Sequence, residues 1–344
     1  MKPLNLLLIL TIAALLTFSC KKSHDNPGKP IRYITEKDTF KTDAIWYADT
    51  IYVLKKFTNI NGKLTIRPGA IVKLETLTGL AATSLIAIGT KEQPIIFTSI
   101  YDDEHGGDID GDNGTIKPQA GDWLCIGTPD PGLQIRFEFC EFYYGGSVMC
   151  LTQLSQKIEN CIFAHSNGYL SLFKYSLMSM SVDPSAGAIS KNLFYDNIQP
   201  LCIYPGMSID STNTFSHQGI GNKQNGIFIY NKAYTIKTQV NLQENEVPFV
   251  VQKDITIEDG GQLTFLNGSV IKFMPGIKIT KTASSLLNSS GKSVLYTSFK
   301  DDVHGGDTNG DGISTTPHDG DWEGIYGGVI PIWWTGINIL YDNH

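Results

Sequence analysis

Two long segments of this chain match each other without a gap, and that duplication constrains the fold more than any local propensity. Gly62-Lys63-Leu64-Thr65-Ile66 and Gly69-Ala70-Ile71-Val72-Lys73-Leu74 return as Gly261-Gln262-Leu263-Thr264-Phe265 and Gly268-Ser269-Val270-Ile271-Lys272-Phe273, an offset of 199 residues. The same offset carries Thr98-Ser99 onto Thr297-Ser298, and Asp102-Asp103 onto Asp301-Asp302. It also carries His105-Gly106-Gly107-Asp108 onto His304-Gly305-Gly306-Asp307, and Gly121-Asp122-Trp123 onto Gly320-Asp321-Trp322. The duplicated units run over residues 60–126 and 259–325. A register held over such a length dictates architecture before any single element is assigned.

A finer repeat lies between the copies. Phe137, Cys140 and Phe142 align with Ile158, Cys161 and Phe163, and these with Ile189, Asn192 and Phe194. Asn338 to Asn343, near the end of the chain, resemble Asn192 to Asn197. The steps from Phe142 to Phe163 and from Phe163 to Phe194 are 21 and 31 residues, too short for a domain and right for one coil of a solenoid. A coil of two or three short strands cannot bury its apolar residues alone. Stacked coils pair strand on strand about 4.8 Å apart, so like residues pile on like. The spacing therefore predicts an aromatic column of Phe142, Phe163 and Phe194, and a second column of Cys140, Cys161 and Asn192 at the bend. Buried free cysteines behave as small hydrophobes, and that is the reading for Cys140 and Cys161, although a bridge between them stays open.

Composition agrees with strands and turns: 34 Gly, 15 Tyr and 16 Phe accompany only 18% charged residues,. The net charge of -7 argues against nucleic acid or anionic lipid as a partner,.

The run from Leu64-Thr65-Ile66 through Ile95-Ile96-Phe97-Thr98-Ser99 to the Asp-Asp, His-Gly-Gly-Asp and Gly-Asp-Trp motifs, with its second copy, resembles the right-handed parallel β-helix lipoproteins of gram-negative bacteria, within the pectate-lyase-like superfamily. The resemblance implies an all-β, right-handed parallel β-helix solenoid with two inserted acidic loops. After Gly320-Asp321-Trp322 about one coil remains, and a solenoid needs its last apolar rung covered,. Closure by Pro331, Trp333 and Trp334, an end-to-end dimer, and a truncated chain are the alternatives.

The amino terminus reads as an export signal. An apolar stretch from Leu6 to Phe18, interrupted by threonines, ends at Ser19-Cys20 before Lys21-Lys22, and it is too short for a spanning helix,. Cys20 resembles the lipidated cysteine of a bacterial lipobox, with the departure that Thr17 stands where Leu is usual and Leu16 lies one place earlier,. Lys21 is not the Asp that marks inner-membrane retention, so the resemblance implies an outer-membrane or cell-surface address. This divides the chain into a signal peptide over 1–20, a polar flexible tether over 21–44 and one β-helix domain over 45–344,.

In the second copy Asp307, Asn309 and Asp311 place oxygens at alternate positions before Gly312, which is the first half of a calcium loop,. In the first copy Asp108, Asp110 and Asp112 do the same, with Asn113 in place of the glycine; Asn tolerates the left-handed backbone that the curl needs,. Neither loop has a Glu at the twelfth position, where Gln119 and His318 stand. Asp102, Asp103 and Asp122, with their counterparts Asp301, Asp302 and Asp321, are the candidates to complete two Ca²⁺ shells. His105 and His304 read as hydrogen-bonding loop residues, since no Cys or second His is spaced for a zinc site,.

Two functions follow. The first is a non-enzymatic surface module, a calcium-stiffened rod binding glycans or other surface proteins, with tyrosines such as Tyr143, Tyr144 and Tyr230 as contacts. The second is a carbohydrate-active lyase or hydrolase on the same fold, which fold alone does not license. The mature chain has three arginines, Arg32, Arg67 and Arg136, in no recognisable catalytic motif,.

Overall fold

The computed structural model describes residues 28–168, 170–173, 187–230, 233–289, 294–327, 332–333 and 338–343. The signal segment, Cys20, the first part of the tether, Pro331 and Trp334 lie outside the described residues. The chain winds as an all-β parallel solenoid of about ten turns, with no helix among the described residues. Short runs of β-branched and aromatic residues make the strands. Single residues held at positive φ turn the corners: Phe139, Asn160 and Lys191 at one, Tyr144, His165 and Asp196 at the next. Such a conformation is a few per cent habit for non-glycine residues, and it is tolerated here because the flanking strands are locked in the stack.

The strands form sheets of seven, twelve, five and three among the described residues, parallel except for one terminal pair, Tyr326 with Trp333. The solenoid begins within the segment assigned from sequence to the tether. Ile31–Ile34 pairs with Ile51–Leu54, and Ala44–Trp46 with the second half of Thr58–Ile66. The isolated alternation of these few residues is too short to be distinguished from linker until a neighbouring coil supplies its partner.

The finer repeat predicts the observed register. Phe142 pairs with Phe163 and Phe163 with Phe194, while Ile158 lies between Phe137 and Ile189. The rings of Phe97, Phe142, Phe163, Phe194 and Phe215 stack face to face through the interior at successive centroid distances of 4.8, 4.8, 5.1 and 5.2 Å. The column thus extends one rung beyond the predicted set at each end. Cys140 and Cys161 are buried and free, Cys140 donating its thiol to the carbonyl of Ala87 at 3.3 Å. Below them the column becomes amide: Asn192 Oδ1 accepts the N–H of Cys161, and Asn192 Nδ2 donates to Asn213 Oδ1 at 3.0 Å. A parallel ladder joins Asn197 Nδ2 to Asn222 Oδ1 at 2.9 Å. Each buried corner amide is thereby satisfied by the coil beside it.

The two copies do not occupy equivalent walls. Ile71–Leu74 and Ile95–Ser99 belong to the seven-stranded sheet, whereas Val270–Phe273 and Leu295–Ser298 belong to the twelve-stranded one. The offset of 199 residues is not a whole number of coils, so the second acidic loop leaves a different face. After that loop, the chain returns to add one more rung: Leu340 donates its N–H to Tyr296, and Tyr296 donates to Asn338.

Candidate metal centres

Each acidic loop leaves the end of a strand, folds back over the outer surface of its own wall and is pinned there by a buried lysine. Ile71–Leu74 is buried on both faces because loop one covers its outside. Lys73 points outward, yet it is fully buried, and its ammonium donates to the carbonyls of Asp102 and Gly107, each at 2.7 Å. Lys272 does the same under loop two, donating to the carbonyl of Gly306 at 2.5 Å and to Thr308 Oγ1 at 2.9 Å. Burial lowers both ammonium pKa values, that of Lys272 to about 8, against the opposing pull of the nearby aspartates. Trp123 and Trp322 anchor the return of each loop. Their indole N–H groups donate to Tyr143 at 2.9 Å and Leu340 at 2.8 Å. Gly145 is obligatory there, since a Cβ at this position would lie 2.0 Å from the Trp123 ring.

The aspartates separate into two jobs. Asp102 Oδ2 accepts from Thr98 Oγ1 at 2.5 Å and lies 2.6 Å from His105 Nδ1; Asp301 repeats this with Thr297 at 2.6 Å and His304 at 2.7 Å. Burial opposes the charge on both carboxylates, but these hydrogen bonds outweigh it and hold their pKa values low. The Asp102 carboxylate in turn raises the pKa of His105 against the effect of its burial. Asp122 Oδ2 accepts from Ser99 Oγ and the N–H of Gln119, and Asp321 Oδ2 from Ser298 Oγ and the N–H of His318. Sequence proximity groups these four with the ligands. Folding turns them instead into staples at the base of the loops, because hydroxyl, imidazole and amide donors reach them there.

The remaining carboxylates converge. Asp103, Asp108, Asp110 and Asp112 each bring an oxygen within 4.8 Å of the others, and so do Asp302, Asp307 and Asp311. Asp108 is curled inward by the N–H groups of Gly111, Asp112 and Asn113, and Asp307 by those of Gly310, Asp311 and Gly312. The left-handed turns at Gly111 and Gly310, and at Asn113 and Gly312, make that curl possible,. Asn309 adjoins the second cluster, with its Nδ2 on Asp311 Oδ2 at 3.0 Å.

One observation tests whether these residues fit a cation. Asp103 Oδ1, Asp302 Oδ1 and Asp311 Oδ1 are buried oxygens with no hydrogen-bond partner among the described residues, and the first two are equivalent positions in the duplication. An acceptor buried without a donor is costly. Burial, and then the charges of Asp108 and Asp307, raise the pKa values of Asp103 and Asp302; Asp110 is raised likewise, by burial and by Asp108. The backbone donors led by Asn113 hold that of Asp108 down. Raised carboxylates at Asp103, Asp110 and Asp302 beside unanswered oxygens are a set that a hard cation relieves,. The clusters can hold a metal ion.

The chain matches no known protein-family profile, no curated protein and no solved structure.

Proposed function

We propose that this protein is a lipid-anchored surface rod, stiffened by two Ca²⁺ ions, that works as a non-enzymatic binding or structural module. The reading rests on one observation above the rest: two acidic clusters in duplicated loops, each with a buried carboxylate oxygen that no donor among the described residues answers. Oxygen-only donors suit Ca²⁺ better than zinc or copper, which favour nitrogen and sulfur,. Asp103, Asp108, Asp110 and Asp112 would hold one ion, and Asp302, Asp307 and Asp311, with the neighbouring Asn309, the other. The ions supply rigidity: they close two long excursions against the walls that the lysines and tryptophans already engage.

Calorimetric titration tests this directly. Two Ca²⁺ ions per chain are expected, with Asp103→Asn leaving one site and Asp302→Asn leaving the other. An unchanged stoichiometry in both variants would remove the assignment.

The anchor follows from the lipobox-like Cys20, and the outer membrane or cell surface from Lys21. Cys20→Ser is expected to move the protein from the membrane fraction to the soluble fraction in cell fractionation. A variant that stays with the membrane would refute lipidation at this residue.

The lyase or hydrolase alternative calls for a cationic side chain free to act beside carboxylates. Arg136 is engaged with Glu138, Nε to Oε1 at 2.6 Å, and Arg32 faces Asp38. No specific observation favours that reading over the rod.

A further inference from the structure

The column of buried corner residues changes its chemistry partway along the solenoid. Asn213 and Asn192 pass hydrogen bonds from coil to coil, and Asn192 Oδ1 accepts the N–H of Cys161 at 2.9 Å. At the next two rungs thiols replace the amides. Glu141 pairs with Ile162 and Phe142 with Phe163, so Cys140 and Cys161, each one residue earlier, stand side by side on neighbouring parallel coils. Such strands run about 4.8 Å apart, within the roughly 4.4–6.8 Å between Cα atoms that a disulfide spans. Both side chains leave the backbone in the same way. Cys140 Sγ lies 3.5 Å from the carbonyl of Glu138 and Cys161 Sγ 3.3 Å from that of Glu159, in each case two residues back. Burial, and then the adjacent Cys161 thiol, push the Cys140 thiol well above its usual range. Cys125 and Cys202 have no such neighbour: Cys125 lies between Gly79 and Ser147, and Cys202 between Ser171 and Phe228.

Joining the two sulfurs removes both thiol protons, which costs little only where their acceptors keep other donors. They do. The carbonyl of Glu138 also accepts the N–H of Gly89 at 2.8 Å, and that of Glu159 the N–H of Phe139 at 3.2 Å. Ala87, which Cys140 reaches at 3.3 Å, is a ladder residue paired with Phe137. Timing follows from burial. Both thiols are closed off from solvent in the folded chain, and burial in apolar surroundings disfavours the thiolate that exchange requires,. The bond therefore forms as these coils fold, while the corner is open, and is afterwards sealed from reductants.

We propose that Cys140 and Cys161 join as a disulfide when the chain folds in the presence of a disulfide oxidant, stapling two neighbouring coils where the amide ladder ends. One cysteine, losing its proton, attacks the oxidant's disulfide and expels a thiolate, leaving a mixed disulfide. The second cysteine, also deprotonated, attacks that bond, forms the Sγ to Sγ link and expels the oxidant's other thiolate. The oxidant, reduced by two electrons, leaves as two thiols carrying the two protons. The cysteines are 21 residues apart, so the staple restrains the unfolded chain and fixes the coil that carries Phe142 against the one that carries Phe163,. The reading of the chain as exported supplies the oxidising surroundings.

The test is peptide mapping by mass spectrometry on the full chain. One sample is taken from cells and unfolded in the presence of an alkylating reagent. A second is reduced, unfolded, and refolded with glutathione disulfide before the same treatment. Trypsin separates Cys140 from Cys161 at Lys157, but Cys150 shares the first peptide. The expected product is the two peptides linked, two hydrogen atoms lighter than their sum. Cys150→Ser should keep that product and Cys140→Ser should lose it. A link found in either sample with this dependence supports the staple. Alkylated Cys140 and Cys161 in both samples, or a link that survives Cys140→Ser, overturns it. Free thiols in the cellular sample beside a link in the refolded one would support the staple and count against export.

Discussion

Phe163→Ala is expected to cost about 3–5 kcal/mol in denaturant unfolding, the range for removing a large buried aromatic. Phe163 is the middle ring of five, 5% exposed, with Phe142 on one face and Phe194 on the other. Truncation leaves a cavity that neither neighbour can fill, because each is held in register by its own strand pairing. Solenoid coils contact mainly their neighbours, so the damage should be local. Hydrogen exchange should accelerate first in Cys140–Tyr143 and Leu193–Tyr195, the strands on either side. Phe163→Leu, which keeps most of the volume, should cost markedly less. A loss for Phe163→Ala no larger than the roughly 0.5 kcal/mol typical of surface changes would contradict a packed interior column.

Chelation is expected to produce the second large effect. A ligand that binds only the folded state stabilises it by about 2.7 kcal/mol when free ligand is a hundred times its dissociation constant. Saturating Ca²⁺ should therefore raise the melting temperature by several degrees over EDTA-treated protein. Limited proteolysis locates the effect: cleavage within 108–117 and 307–316 should appear in EDTA and be suppressed by Ca²⁺. In Asp103→Asn the first loop alone should become sensitive, since the two clusters sit on different walls and share no residue. Equal cleavage with and without Ca²⁺ would count against metal in the loops. The lysine pins sharpen the expectation for the first loop, because Lys73 holds the carbonyls of Asp102 and Gly107 at its base.

Much of the fold was legible because a stacked solenoid converts linear repetition into spatial columns. The alignment of Phe142, Phe163 and Phe194 states a register outright, and the strand pairs obey it. Asn113 in the place of a loop glycine was legible for a similar reason, since its side chain tolerates φ of 56°. Phe97 escaped the column because the first acidic loop lies between it and Phe142, whereas Phe215 stands 21 residues after Phe194, the same step as from Phe142 to Phe163, and that interval was a usable signal. The burial of Lys73 and Lys272 comes from a loop folded back over the wall, which no interval along the chain announces. The assignment of Asp102, Asp122, Asp301 and Asp321 as metal ligands rested on their closeness along the chain. Threonine, serine and histidine donors brought up by the strand ends claim their oxygens instead.

The sequence by itself determined the solenoid, its interior columns and the presence of two acidic loops, because those depend on which residues recur and at what interval. Tertiary structure alone decided which wall each loop covers and which carboxylates meet. Those outcomes depend on how many coils separate two copies and on which side chains from distant coils arrive at the same corner, and no interval along the chain encodes that.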